Sequence, residues 1–156
     1  MRALLGGAFL KYGIDISNNL LKNKIYKELR FANYSVVNCS NIIGCSIGDE
    51  LFRKVTLANQ TKIDFYLSIN ECDEIENNEI MLFLGYDNKT LNFFESFSKN
   101  IKNTCCDNLK IRDVKNFYLF KNIKATTVIF KISRNISCEA LEKLSNSIIN
   151  TLLSLS

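Results

Sequence analysis

The sequence predicts an α/β fold: a single-domain three-layer sandwich whose central, mostly parallel sheet of about six strands carries helices on both faces. Three observations predict it. Segments of strand character alternate with segments of helical periodicity along the chain, the pattern that builds βαβ units. The run Ile63 to Ile69 is apolar almost throughout and rich in β-branched and aromatic side chains, as a strand covered on both faces must be. The joins are short, with no linker, repeat or low-complexity block, so the 156 residues read as one domain from 1 to 156.

Taken in order, Lys11 to Ser17 alternates Tyr12, Ile14 and Ile16 with Gly13 and Asp15, a first strand. Ser17-Asn18-Asn19 offers side-chain oxygens to cap a helix over Leu20 to Ala32, with Leu21, Ile25, Leu29 and Ala32 as its apolar stripe. Ser35 to Cys39 reads as a second strand. The glycine-containing loop 40–48 leads into a helix over Asp49 to Thr61, with Leu51, Val55 and Ala58 inward. The central strand follows and ends in the polar tip Ser68, Asn70 and Glu71, where α/β sheets present functional side chains. Glu79 to Tyr86 alternates as a fourth strand. Lys89 to Asn103 is predicted as a helix with Leu91, Phe94, Phe97 and Ile101 inward. Two strands are expected near 116–120 and 126–132, then a helix from Ser137 to Leu155 with Leu141, Leu144, Ile148, Leu152 and Leu155 on one side.

Composition narrows the function classes. At 47% hydrophobic the chain can fill a core, and a net charge of +4 without a basic, aromatic-interleaved stripe argues against a nucleic-acid partner. The apolar segment Met1 to Leu10 is too short and too weakly charged for a signal peptide, and no run is long enough for a membrane span. The expected location is therefore cytoplasmic. Cys39, Cys45, Cys72, Cys105, Cys106 and Cys138 form no C-x-x-C pair and read as free thiols. The chain has no Pro and no His. Without imidazole it lacks the commonest general base and the commonest zinc ligand.

Several strings, in this order, resemble the zinc-dependent N-acetylmuramoyl-L-alanine amidases of phage endolysins and bacterial autolysins. Tyr12-Gly13-Ile14-Asp15-Ile16 is similar to that family's first strand, and Tyr34 to Cys39 to its second. Leu57-Ala58-Asn59 followed by Asp64 to Asn70 resembles its Ala-Asn helix end and Ser-Ile-His strand. Arg112-Asp113-Val114-Lys115 is similar to its Arg-Gly-Val-Lys turn, and Thr126 to Ser137 to its strand with the catalytic Glu. The resemblance covers residues 11–155 and implies an amidase-like fold.

The resemblance also implies what is missing. The family holds zinc through two histidines and a glutamate and uses a second glutamate as general base. Asn18 matches the first His position, Asn70 the second and Lys131 the catalytic Glu, and the insertion carrying the Glu ligand is absent. An amide oxygen is a poor zinc donor. An ammonium about 4 Å from a divalent ion costs on the order of 8 kcal/mol at an effective dielectric near 20. The expectation is a site with no catalytic residue and no metal or other cofactor: a vestigial pocket of Asp15, Asn18, Ser68, Asn70, Glu71 and Lys131. In it Lys131 either pairs with Asp15 or Glu71 or is a strand-end lysine reaching water. Asn18 and Asn70 are either pocket residues or turn formers.

The expected function is that of a catalytically inactive amidase-like protein binding a cell-wall fragment or a protein partner, with release to the wall by lysis as the alternative to a cytoplasmic location. Two alternatives differ in kind. One is a hydrolase with other chemistry, through Cys72 activated by a neighbouring cation or through an atypical metal. The other is an assembly protein that uses only the scaffold.

Overall fold

The computed structural model describes residues 10–76, 79–85, 87–102, 108–113 and 117–155. Six strands form one sheet in the order β2-β1-β3-β6-β4-β5, comprising β1 (Lys11–Ile16), β2 (Ser35–Asn38), β3 (Phe65–Cys72), β4 (Glu79–Leu84), β5 (Asn108–Asp113) and β6 (Thr126–Ser133). Pairing is parallel from β2 through β6. β4 then runs antiparallel to β6, and β5 parallel to β4. The helices are α1 (Asn19–Phe31), α2 (Ile47–Gln60), α3 (Asn88–Lys102), the short α4 (Tyr118–Asn122) and α5 (Cys138–Ser154).

Strand alternation sends successive side chains to opposite faces, and the two faces build two different cores. Tyr12, Ile14, Ile16, Phe65, Leu67, Ile69, Val128, Phe130 and Ile132 pack with the buried stripes of α1, α3 and α5 in the larger core. Tyr66, Phe83 and Ile129 face α2 and α4, meeting Val55, Ala58, Leu119 and Ile123 in a smaller one. The three-layer α/β architecture predicted from the sequence is the one observed. None of the helices among the described residues is long and apolar enough to cross a membrane.

Topology places the site. The chain steps from β1 outward to β2 through α1, then back across β1 to β3 through α2. Crossovers of one hand on opposite sides of β1 put α1 and α2 on opposite faces, so the order of the strands reverses between β1 and β3, and in such sheets ligands are met beyond the carboxyl ends of the central strands.

Local differences from the sequence reading have physical causes. The aromatic run Phe117-Tyr118-Leu119-Phe120 suggests a strand, but it forms the one-turn helix α4. There Leu119 and Ile123, four apart, share a buried side against α2. The preceding strand is β5, at Asn108–Asp113. In α3 the buried stripe is Thr90, Phe93, Phe97 and Ile101, whereas Leu91 is 49% exposed and Phe94 half-buried. Only one of two adjacent phenylalanines can point inward, and Phe93 wins because it joins the ring cluster of Phe65, Phe97 and Phe130. β3 starts two residues later than expected and continues through the polar tip to Cys72. A turn precedes it, with Lys62 in the left-handed region at φ 52°.

Cys39, Cys45, Cys72 and Cys138 are free thiols. Residues 1–9, which carry most of the apolar N-terminus, lie outside the described residues, as do Cys105, Cys106, Val114 and Lys115.

Candidate functional site

The layer between the sheet and α2 receives Asp15 from β1, Tyr66, Ser68 and Asn70 from β3, and Ile129 and Lys131 from β6. Register makes them neighbours: Asp15 is the Cα partner of Ser68, and Asn70 that of Lys131. Two distinct arrangements result.

The first is a buried polar network centred on Asp15. Its Oδ1 accepts from Lys54 Nζ at 3.0 Å and its Oδ2 from the Tyr66 hydroxyl at 2.8 Å, with Ser68 Oγ at a longer 3.5 Å. Asn70 Nδ2 extends the chain weakly, 3.4 Å from Ser68 Oγ. Asp15 and Lys54 are both nearly solvent-free. Burial alone would push the Lys54 ammonium down, but the Asp15 carboxylate, helped by Glu50, holds it above its ordinary value. The Tyr66 phenol is raised chiefly by burial and then by Asp15. Burial, again with Asp15, lifts the Cys39 thiol from 9.0 to about 12, with Lys54 opposing. Gly13 gives the network its room: a Cβ there would stand 2.6 Å from Ile63 Cδ1 and 3.2 Å from the Tyr66 ring.

The second arrangement is a cavity of about 230 Å³ lined by Leu51, Asn70, Phe117, Tyr118, Leu119, Ile129 and Lys131. The Lys131 ammonium lies 5.5 Å from the ring centroids of both Phe83 and Phe117, a double cation–π contact. Among the described residues no carboxylate comes within salt-bridge distance of it.

The expected pairing of Lys131 with Asp15 or Glu71 is therefore not what forms. Lys54 takes Asp15. Glu71 alternates to the opposite sheet face from Asn70, and its Cα partner Ile132 belongs to the larger core. Its backbone N–H donates to Ser17 Oγ at 3.1 Å, and Ser17 N–H donates to the Ile69 carbonyl at 3.1 Å, so Ser17 stitches the tips of β1 and β3 together. Asn18 is the N-cap of α1, its Oδ1 accepting from Leu21 N–H at 3.0 Å, and it is not part of the cavity wall. Of the six predicted site residues, Asn70 and Lys131 share the cavity, Asp15 and Ser68 share the network, and Asn18 and Glu71 belong to neither.

Cys72 ends β3 opposite Ser133, and among the described residues neither a base nor a cation is hydrogen-bonded to its thiol. Nor do three His, Cys, Asp or Glu side chains among the described residues form a group able to hold a metal ion. Lys54, Phe117 and Leu119 are contributors that the sequence alone did not single out. Lys54 was legible in principle, because positions 51, 54, 55 and 58 share one helical face. Phe117 and Leu119 were hidden by reading α4 as a strand.

Comparison with known proteins rests on shape. No protein-family model and no curated protein matches the sequence. Among solved structures, the catalytic domain of the CD27L endolysin targeting Clostridia difficile aligns with a TM-score of 0.70 at 13% identity, over 93% of this chain and 97% of that one. The N-acetylmuramoyl-L-alanine amidase AmiC2 of Nostoc punctiforme gives 0.64 at 15% identity, over 96% and 98%. The CwlD amidase from Clostridioides difficile, solved in complex with the GerS lipoprotein, gives 0.62 at 11%, over 93% and 98%. This chain has the fold of the N-acetylmuramoyl-L-alanine amidases over nearly its whole length.

Proposed function

We propose that this protein is an amidase-fold binding protein: it engages a cell-wall fragment or a protein partner at the carboxyl ends of β3 and β6 and does not hydrolyse peptidoglycan. The observation that carries this reading is the direct register pairing of Asn70 with Lys131, the ammonium resting on two phenylalanine rings. The resemblance would put a zinc-binding His and a general-base Glu at those positions. A lysine ammonium cannot take a proton from an attacking water, and it opposes a nearby cation.

The zinc that the fold implies does not fit the residues present. Asn18, in the position of the first His, has its side-chain oxygen engaged in capping α1. Asn70 offers a neutral amide, where catalytic zinc takes three strong protein ligands. Cys72 is a poor substitute nucleophile, since the chain has no His and, among the described residues, no cation is hydrogen-bonded to its thiol.

The test pairs two measurements on the purified protein, its zinc content and its release of stem peptides from peptidoglycan. We expect no stoichiometric zinc and no release. Chelator-sensitive release by zinc-loaded protein would overturn the proposal, and chelator-resistant release that disappears in Cys72→Ser would replace it with thiol chemistry.

A further inference from the structure

We infer that the cavity beside Asn70 and Lys131 binds a free carboxylate carried on a small aliphatic body, either a small acid or the C-terminal residue of a peptide. The inference rests on the binding reading above and names the chemistry of its ligand.

Charge comes first. Lys54 and Lys131 both enter the layer between the sheet and α2, and among the described residues only Lys54 of the two has a carboxylate at salt-bridge distance. Asp15, on the same sheet face as Lys131, is held by Lys54 and Tyr66. That leaves Lys131 as a fixed cation in the wall of a cavity, without a carboxylate at salt-bridge distance among the described residues. The rings of Phe83 and Phe117, at equal distance, hold the ammonium in place without neutralising it. An ammonium positioned in this way is ready for an anion.

Shape and lining select the kind of anion. A volume of about 230 Å³ is near that of several waters at about 30 Å³ each. It falls below the roughly 300 Å³ at which pockets for drug-sized ligands begin. Leu51, Leu119 and Ile129 offer an aliphatic wall, and the Asn70 carboxamide is a polar neighbour whose contact with Ser68 is long enough to be exchanged. Phosphate groups are usually met by several cationic or backbone donors or by a guanidinium fork. One ammonium beside one amide, in a small open pocket that Tyr118 also lines, suits a monoanionic carboxylate.

The experiment maps backbone amide shifts of the full chain by NMR during titration with isobutyrate and, separately, isobutyramide. Neither the acid nor its binding depends on a scissile bond, so the result is independent of whether the protein hydrolyses anything. A second pair of probes is acetyl-Ala-Ala with a free or an amidated C-terminus. We expect shifts at Asn70, Leu119 and Ile129 with a free acid, at least tenfold weaker binding of the matching amide, and loss of that preference in Lys131→Gln. Saturation by isobutyrate identifies a small acid as sufficient, whereas a response to the free peptide alone identifies a peptide terminus; both support the site. Equal responses to acid and amide, silence toward both acids at tens of millimolar, or acid binding unchanged in Lys131→Gln would overturn it. If Lys131→Gln does not fold, the acid-against-amide contrast on the unaltered protein decides.

Discussion

Lys54 and Lys131 approach the same sheet face and are accommodated by opposite means. Lys54, from α2, is buried against Asp15 in an ion pair that Tyr66 completes. Lys131, from β6, keeps its ammonium on aromatic rings beside a cavity. A buried charge requires compensation, and the source of compensation separates structural groups from available ones. The Asp15 network, beside β1, is satisfied from within. The cavity at β3 and β6 is satisfied only in part, and ligand chemistry is expected on that side.

The sharpest way to break this comparison is to remove Lys54. Lys54→Met leaves a buried carboxylate with hydroxyl partners alone, and losing one member of such a pair costs about 3–5 kcal/mol. Denaturant unfolding should register that loss. The double variant Asp15→Asn/Lys54→Met should recover most of it, because the amide oxygen still accepts from Tyr66 and no charge is stranded. A loss under about 1 kcal/mol for Lys54→Met, the range of exposed pairs, would show that the two lysines are alike after all.

Alkaline pH probes the same network more gently. Cys39, Lys54 and Tyr66 all have folded-state values raised above their ordinary ones. A raised group contributes stability in full below its unfolded value and loses it as pH climbs toward the folded one. Cys39 sets the first window: between 9.0 and about 12 the unfolded chain releases a proton that the folded chain keeps. Unfolding free energy should fall there by up to about 1.4 kcal/mol per pH unit for that proton. Cys39→Ala should delay the decline until the Tyr66 and Lys54 range, from 10.0 and 10.5 upward. An identical slope in Cys39→Ala would remove the thiol from the account.

How much of this the chain discloses depends on the periodicity available. Long elements such as α1 and α5 are legible, since Leu21, Ile25 and Leu29, or Leu141, Leu144, Ile148 and Leu152, repeat on one face. Elements of a single turn are not: α4 has no room for a helical repeat, and its aromatics carry strand propensity. The candidate site divides in the same way. Asn70 and Lys131 follow from strand ends, which a linear reading can locate. Their partners do not, because pairing is settled in three dimensions. Lys54 reaches Asp15 across 39 positions, and alternation along β3 turns Glu71 away from the pocket to which its place in the sequence assigned it.

The smallest effect is expected at Lys131 itself, and it bears most directly on the comparison. Lys131→Met keeps an unbranched stem of similar reach and exchanges the cation–π contacts, worth about 0.5–2 kcal/mol, for sulfur–aromatic ones of about 0.3–1.5 kcal/mol. No carboxylate among the described residues is left stranded by the change, so the large term that penalises Lys54→Met has no counterpart. The unfolding free energy should therefore move by less than about 1 kcal/mol in either direction. Measured beside Lys54→Met under one set of conditions, a small change at 131 against a large one at 54 marks Lys131 as a charge the fold carries without needing it. A loss at 131 equal to that at 54 would mean that the ammonium is balanced from within, and the cavity would then have no unspent charge to offer a ligand.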